Sequence, residues 1–372
     1  MKIYLLSILL LLSLVTKSQE QDSLDIMIGQ MIMAGVRDFQ QTDLREELLL
    51  NLEQGKIGGV VLFEKNVPKT NTKQGLIAMI DTLQAHASIP LLVSIDEEGG
   101  IVNRLKPKYG FDDPPSAQQL GAWDNTDTTY FYAQRIADNL KSLGINLNYA
   151  PVVDLNVNPK NPIIGGIGRS FSADYLEVVE HAAVYIQAHR DANVGTALKH
   201  FPGHGSSAKD THKGIADVSK TFVIEELYPY KMLIDSGKVD AVMTSHVMNR
   251  ILADSLPGTL SKRVVDGVLR GFLGYDGVVF SDDMQMKAIT NHYGLETSVK
   301  LSILAGVDIL VYANHVLEKD VIPVNKLFNL MKQLVNSGEI PEERIRESYK
   351  RIMDFKVQLG LLEVRRSYEP RK

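Results

Sequence analysis

Two short segments carry side chains that could perform nucleophilic and acid–base chemistry. In the first, Asp282 directly follows the apolar run 277–281, so a β-strand would deliver its carboxylate to the edge of a sheet. A carboxylate in such a place can attack an anomeric carbon or stabilise a developing oxocarbenium ion. The structural alternative is that Asp282 caps the following helix, because Asp is a favoured N-cap residue.

The second segment is 199–212, in which Asp210 and His212 stand two residues apart after a stretch rich in Gly and Ser. In an extended segment both side chains fall on the same side. A carboxylate bonded to one imidazole nitrogen fixes the tautomer, so the other nitrogen can give and take a proton near neutral pH. From spacing alone, a surface loop with a chance Asp-x-His is the simpler interpretation.

Further charged side chains stand at the ends of other apolar runs or in glycine-rich loops. Asp96 follows one run, Lys199 and His200 end another, and Arg104 lies beyond a Gly pair that permits close approach of a ligand. These four could together bind several sugar hydroxyls by charge-assisted hydrogen bonds. Taken singly, a solvated cation and a hydrogen-bonded core His are the ordinary interpretations. Arg169 lies in another flexible, glycine-rich loop.

The sequence lacks the common nucleotide and zinc motifs. The glycines around Arg169 match neither the Rossmann fingerprint nor the P-loop pattern, and there is no His-Glu-x-x-His. His204 and His246 could ligate a metal, but no carboxylate or Cys stands at ligand spacing from them. We therefore expect neither a metal nor a cofactor.

Composition narrows the classes of protein. The chain has 372 residues, is 44% hydrophobic and carries a formal net charge of −5, from 40 Lys plus Arg against 45 Asp plus Glu. These values indicate a folded protein and give no basic excess, so nucleic-acid binding is not expected. With no Cys, disulfides, thiol nucleophiles and thiolate metal sites are excluded.

The elements that must position these residues are short β-branched runs that alternate with longer helical patterns. This alternation predicts an α/β protein, a single and somewhat irregular (β/α)8 TIM barrel with C-terminal helices, in which catalytic groups sit where strands end. A doubly wound open sheet is the alternative. Helices are expected at 174–192, around 325–336 and at 341–359. The predicted strands are 31–36, 58–63, 91–95, 146–154, 195–200, 241–246, 277–281 and 308–312.

The first residues resemble an export signal. Lys2 precedes a short apolar run that ends at Val15, too short to cross a bilayer as a mature helix. Small residues up to Ser18 predict a signal peptide over 1–18 and a catalytic barrel over 19–372. The alternative is an uncleaved membrane anchor. In both cases we expect an exported protein, periplasmic or secreted, that meets a membrane only through this segment.

Taken together, three segments resemble bacterial β-N-acetylglucosaminidases of glycoside hydrolase family 3. The run 199–205 followed by Asp210-Thr211-His212 is similar to the family's signature. Residues 96–100 look like its Asp-Gln-Glu-Gly-Gly segment, with Glu97 in place of the usual Gln, and 281–284 are similar to its nucleophile segment. The resemblance extends from about residue 24 to 360.

The resemblance implies a retaining, two-step exo-glycosidase acting on terminal β-linked N-acetylglucosamine. Asp282 would be the nucleophile, and His212 the acid and base with Asp210 as its partner. The expected ligands of the terminal sugar are Asp96, Arg104, Arg169, Lys199 and His200. The barrel-only length favours this branch over β-glucosidases of the family, many of which take their acid/base from a second domain.

Several alternatives stay open. The acid–base group is not a carboxylate, so transfer of the sugar to phosphate is conceivable. A β-glucosidase-type enzyme and a non-catalytic glycan-binding barrel are further alternatives. The carbohydrate substrate could be a peptidoglycan fragment, which would imply peptidoglycan turnover, a chitooligosaccharide or a glycoconjugate.

Overall fold

In the computed structural model, described for residues 24–253 and 255–363, eight parallel strands form one sheet. Each strand pairs with its successor along the chain, and the first also pairs with the last. A parallel bridge between Phe280 and Ile309 closes the ring, so the predicted TIM barrel is confirmed. The strands are β1 Ile32–Gly35, β2 Gly59–Leu62, β3 Leu92–Ile95, β4 Leu147–Asn148, β5 Gly195–Phe201, β6 Ala241–Thr244, β7 Val278–Phe280 and β8 Leu310–Tyr312.

Each observed strand falls at a predicted position, but β4 is much shorter than the predicted 146–154. Beyond β4, the backbone still follows β5, because Ala197 N donates to Ala150 O at 3.2 Å and Val153 N donates to Lys199 O at 2.9 Å. Pro151 lies between these two bonds and has no N–H to donate. The regular strand therefore ends before Pro151.

Helices follow most of the strands. The helix expected at 174–192 is capped by Asp174, whose side chain accepts a 2.7 Å hydrogen bond from Leu176 N. Pro341 is the N-cap of the last helix, one position outside the predicted start. The α-helices that follow β1 are α1 Thr42–Glu53, α2 Thr72–His86, α3 Ala117–Trp123, α4 Thr126–Ser142, α5 Tyr175–Asp191, α6 Tyr228–Asp235, α7 Lys287–Thr290, α8 Leu295–Ala305, α9 Val324–Asn336 and α10 Glu342–Gln358. Residues Arg263–Phe272 are π-helical.

A buried lysine of α10 joins the end of the described chain to its beginning. Lys356 Nζ donates to Gln30 Oε1 at 2.6 Å and to the backbone oxygens of Gly58 and Pro90 at 3.0 and 2.7 Å. Burial lowers the pKa of Lys356 to about 7. Gly58 and Pro90 precede β2 and β3, so this contact lies at the amino ends of the strands.

The predicted signal peptide, residues 1–18, and the proposed barrel start at residue 19 lie outside the described residues. Within the ranges that are described, no helix combines the length and the apolar character needed to span a bilayer.

Candidate active site

A cavity of about 370 Å³ opens at the carboxyl ends of the barrel strands. Asp96 enters it from the end of β3 and Asp282 from the end of β7, as the barrel prediction required. Arg104 and His212 line it from loops, and Tyr149 is among its walls. The structure therefore brings the predicted nucleophile, the predicted acid–base residue and two predicted sugar ligands to one place, which we name the catalytic cavity.

Asp282 is held as an anion in this cavity. Its Oδ1 accepts a 2.8 Å hydrogen bond from Asp283 N. Burial raises the pKa of Asp282, but the surrounding imidazoles, first His246 and then His200, lower it more, so that it lies below its ordinary value. The next helix begins at Lys287 with Met286 as its N-cap, so Asp282 does not serve as that helix cap.

Asp210 and His212 form the expected pair. Asp210 Oδ1 lies 2.8 Å from His212 Nδ1 and also accepts a 2.8 Å bond from His212 N. Burial raises the pKa of Asp210, but these hydrogen bonds lower it more, and it falls below its ordinary value. An ionised carboxylate only accepts, so Nδ1 carries a proton and Nε2 is left to exchange one. The His212 side chain is 64% exposed.

Asp96 belongs to a largely buried group of ion pairs, which we name the clamp and which consists of Asp96, Glu98, Arg104, Arg169 and Lys199. Lys199 Nζ lies 2.7 Å from Asp96 Oδ1 and 2.6 Å from Glu98 Oε1. Arg169 binds both oxygens of Glu98, at 2.7 and 2.8 Å, in the bidentate geometry that favours Arg–carboxylate pairs. Arg104 approaches Asp96 Oδ2 at 3.4 Å.

The clamp keeps its carboxylates ionised although they are buried. Burial raises the pKa of Asp96, but the charges of Lys199 and Arg104 lower it further, to well below its ordinary value. The pKa of Glu98 is likewise raised by burial and lowered, to about 2 overall, by Arg169 and Lys199. Asp96 can thus accept hydrogen bonds from hydroxyl groups in the catalytic cavity.

His200 is turned towards a carboxylate that the sequence analysis did not assign to the site. His200 Nδ1 lies 2.7 Å from Asp154 Oδ2, and its Nε2 lies 3.3 Å from Arg169 NH2. A guanidinium only donates, so Nε2 accepts and Nδ1 donates to Asp154. Asp154 Oδ1 also accepts a 2.8 Å bond from His204 N. Asp154 therefore fixes both His200 and the start of the loop that carries the acid–base pair.

Glu97, Glu98 and Asp154 are the site residues that sequence reasoning missed. Glu97 Oε2 accepts hydrogen bonds from Arg104 N at 2.8 Å and Leu105 N at 3.1 Å, so it positions the loop of Arg104. Burial raises the pKa of Glu97 to about 7. The available signal was position, because Glu97 and Glu98 directly follow Asp96 and Asp154 ends a predicted strand.

The predicted sugar ligands divide into two groups. Asp96 and Arg104 line the catalytic cavity, whereas Lys199, His200 and Arg169 are not among its lining residues. Lys199 contacts Asp96, and Arg169 contacts Glu98 and His200. Residues 24–253 and 255–363 hold no group of three or more His, Cys, Asp or Glu side chains arranged to bind a metal ion. His246, considered as a metal ligand, instead contacts Thr259 Oγ1 and the backbone oxygen of Asp283.

The similarity of this chain to known proteins extends over most of its length. Residues 23–355 match the model of the glycosyl hydrolase family 3 N terminal domain. The chain belongs to glycosyl hydrolase family 3, and is a glycoside hydrolase as the resemblance predicted. It is 32% identical to Beta-hexosaminidase LpqI of Mycobacterium tuberculosis, over 88% of this chain and 81% of that protein. It is 36% identical to a Beta-hexosaminidase of Xanthomonas campestris pv. campestris, over 70% and 78%.

Solved structures show the same similarity. A family 3 beta-N-acetylglucosaminidase from a Paenibacillus species superposes with a TM-score of 0.80 at 34% identity, over 91% of this chain. This chain spans only 62% of that one. A Beta-N-acetylhexosaminidase from Beutenbergia cavernae superposes with a TM-score of 0.78 at 28% identity, over 90% of this chain and 98% of that chain. The predicted resemblance to family 3 β-N-acetylglucosaminidases is thereby confirmed.

Proposed function

We propose that this chain is a retaining β-N-acetylhexosaminidase that removes terminal β-linked N-acetylglucosamine from glycans. The proposal rests on one observation: Asp282 and His212 line the same cavity as Asp96 and Arg104. A nucleophilic carboxylate and a separate proton donor at one glycosidic bond are what a double displacement needs. The names of the relatives support N-acetylhexosamine as the sugar.

In the first displacement, an Asp282 oxygen attacks the anomeric carbon while His212 Nε2 gives its proton to the departing glycosidic oxygen. The Asp210 carboxylate at Nδ1 stabilises the imidazolium that donates this proton. In the second displacement, water attacks the anomeric carbon, His212 Nε2 takes the water proton, and the bond to Asp282 breaks. Two inversions at one carbon retain its configuration.

The clamp orients the terminal sugar. Asp96 accepts hydrogen bonds from sugar hydroxyls and Arg104 donates to their oxygens, because both side chains line the cavity. Lys199 acts through Asp96 and Glu98, and Arg169 acts through Glu98. Groups fixed in this way before the substrate arrives lose little freedom on binding, which favours the reactive geometry.

The natural substrates in this proposal are peptidoglycan fragments or chitooligosaccharides that end in N-acetylglucosamine. The protein meets them outside the cytoplasm, in the periplasm or as a secreted enzyme, because its first residues carry the pattern of an export signal. Membrane contact is confined to that segment.

A phosphorylase on the same site is the second candidate. An uncharged acid–base imidazole repels an anionic acceptor less than a carboxylate does, so phosphate could take the place of water in the second displacement. Assays with and without phosphate separate the two reactions. Hydrolysis releases free N-acetylglucosamine, whereas phosphorolysis releases the sugar 1-phosphate.

The decisive test is hydrolysis of an aryl N-acetyl-β-glucosaminide by the purified chain and by Asp282→Asn. Loss of the nucleophile should lower kcat by about 10⁴-fold or more. An activated fluorinated sugar should add its mass to the native chain and not to the variant. Asp276→Asn, an exposed aspartate, is the matched control and should retain activity. A folded native chain without turnover, or an active Asp282→Asn, would contradict the proposal.

A further inference from the structure

A second cavity, which we name the side cavity, lies outside the barrel wall between α4 and the loop that follows β3. Its volume is about 260 Å³, slightly below the range of about 300–1,000 Å³ for pockets of drug-sized ligands, so it admits about one sugar residue. Glu97 lines the side cavity while Asp96 lines the catalytic cavity. The two cavities share no lining residue.

One face of α4 forms a wall of the side cavity. Phe131, Arg135 and Asn139 follow one another at intervals of four, and Tyr132 lies beside Phe131. Residues four apart in a helix lie on the same side, so these side chains form a continuous stripe. The stripe therefore presents aromatic rings at one end and polar groups along its length.

An exposed aromatic surface continues from this stripe. The rings of Phe131 and Tyr132 lie 5.3 Å apart, and those of Tyr132 and Trp123 lie 6.1 Å apart. Phe131 is 54% exposed and Trp123 is 50% exposed. Contiguous aromatic rings in water are costly and often mark a binding site. Arg135 Cζ lies over the Phe131 ring, 5.6 Å from its centroid. The ring area that stays exposed suits the C–H faces of a pyranose ring, which are apolar although the rim of the sugar is polar.

The polar groups of the side cavity leave acceptors unused. Arg135 is occupied by Asp112, which it binds at 2.8 and 3.2 Å. In contrast, within residues 24–253 and 255–363 the Asp113 carboxylate and Asn139 Oδ1 accept no hydrogen bond from another residue. Unused acceptors beside apolar rings complement the hydroxyl and acetamido N–H donors of an N-acetylated sugar.

We propose that the side cavity is a second carbohydrate-binding site that holds one N-acetylglucosamine residue of a neutral glycan. The identity of this sugar rests on the proposed function. The aromatic surface packs against the pyranose face, and the acceptors bind its donors. A glycan retained at this site stays near the catalytic cavity, so its ends are presented at a raised effective concentration.

The chain contains a single Trp, so fluorescence emission from Trp123 reports on this surface directly. We would titrate Asp282→Asn, which should not consume the ligand, with triacetylchitotriose. We expect a saturable change in emission. Adding Phe131→Ala should weaken the apparent affinity about tenfold or abolish the change. Phe272→Ala removes a phenylalanine that is 70% exposed on another helix, and should leave the titration unchanged. Melting curves of the variants check that the fold is retained.

Absence of a saturable change, or a change that survives Phe131→Ala in full, would overturn the second site. A crystal of Asp282→Asn soaked with the same trisaccharide should show a sugar beside Phe131, and sugar in the catalytic cavity alone would also overturn it. These results are independent of turnover. An emission change in a chain that hydrolyses nothing would support the second site while contradicting the proposed glycosidase.

Discussion

Lys199 and His212 belong to the same site, yet the side chain of Lys199 is 2% exposed and that of His212 is 64% exposed. Lys199 is fixed by two carboxylates, one of which also binds Arg169. Among the described residues, the His212 side chain forms a hydrogen bond only with Asp210, in the loop between β5 and α6. The site therefore combines a rigid part that recognises the sugar with a loop part that transfers protons and can adjust to the bound glycan.

The two parts also differ in what their charges contribute to stability. Removing one member of a buried ion pair leaves an uncompensated charge and costs about 3–5 kcal/mol. An exposed pair contributes only about 0–1 kcal/mol. Variants of the clamp should therefore lose both stability and activity, whereas variants of the Asp210–His212 pair should lose activity alone.

The largest effect is expected for Lys199→Met, which retains the length of the side chain and removes its charge. Asp96 and Glu98 would then face each other without their shared cation. We expect the free energy of unfolding in urea to fall by about 3–5 kcal/mol and kcat/KM to fall by about 10³-fold or more. Lys350→Met removes an exposed cation paired with Asp354 and serves as the control. Equal losses of stability in Lys199→Met and Lys350→Met would refute the view that the clamp stabilises the fold more than an exposed ion pair does.

Unlike Lys199→Met, His212→Ala should lose activity with little loss of stability. Loss of the acid–base group should lower kcat by about 10²–10⁴-fold, while the free energy of unfolding should change by less than about 0.5 kcal/mol because the side chain is mostly exposed. With an aryl glycoside whose phenolate leaves without protonation, the glycosyl-enzyme still forms, and added azide should attack it without a general base and restore turnover as glycosyl azide. Lys350→Met, the exposed control used for Lys199, should leave kcat unchanged. A marked loss of stability in His212→Ala would contradict the proposed difference between the clamp and the loop that carries the Asp210–His212 pair.

The smallest effect concerns pH and the three consecutive carboxyls 96–98. Glu97 is buried and forms no ion pair with any residue of 24–253 or 255–363, and burial raises its pKa from 4.5 to about 7. The folded state therefore holds a proton that the unfolded state has released, and this stabilisation is lost as pH rises through about 7. Glu97→Gln does not titrate, so its stability relative to the native chain should increase between pH 5 and pH 8, by on the order of 1–3 kcal/mol.

Urea unfolding of the native chain, Glu97→Gln and Glu98→Gln at both pH values tests this. Glu98 has a pKa lowered to about 2, so it stays ionised throughout this range. Glu98→Gln should therefore be destabilised by a similar amount at pH 5 and pH 8. A pH-dependent difference for Glu98→Gln, or none for Glu97→Gln, would contradict the assignment of these two environments.

The strands could be predicted from the sequence because barrel strands are buried on both faces and appear as continuous apolar runs. The position of Asp96 and Asp282 then followed from the rule that functional groups lie at strand ends. The predicted end of β4 was wrong because the apolar run continues past Pro151. The end of the strand is decided there by backbone hydrogen bonding and not by hydrophobicity, since Pro151 has no N–H to donate.

The buried partners could not be predicted in the same way. Glu98 meets Arg169 across 71 positions, and Asp154 meets His200 across 46. A carboxylate in a sequence does not indicate which distant cation it will meet, and that cation decides whether it is ionised when buried. For the same reason Glu97 and Glu98, which are neighbours of the same type, titrate in different ranges.

The contacts of Lys356 determine on which side of the barrel the chain can be attached to a support. Its contacts with Gln30, Gly58 and Pro90 bring residues 24–30 and the end of α10 to the amino ends of the strands, opposite the mouth of the catalytic cavity. Whatever is joined ahead of residue 24 or after residue 363 is therefore attached at the rear of the barrel. Immobilisation on a support through either end should leave the mouth facing the medium, accessible to large insoluble glycans.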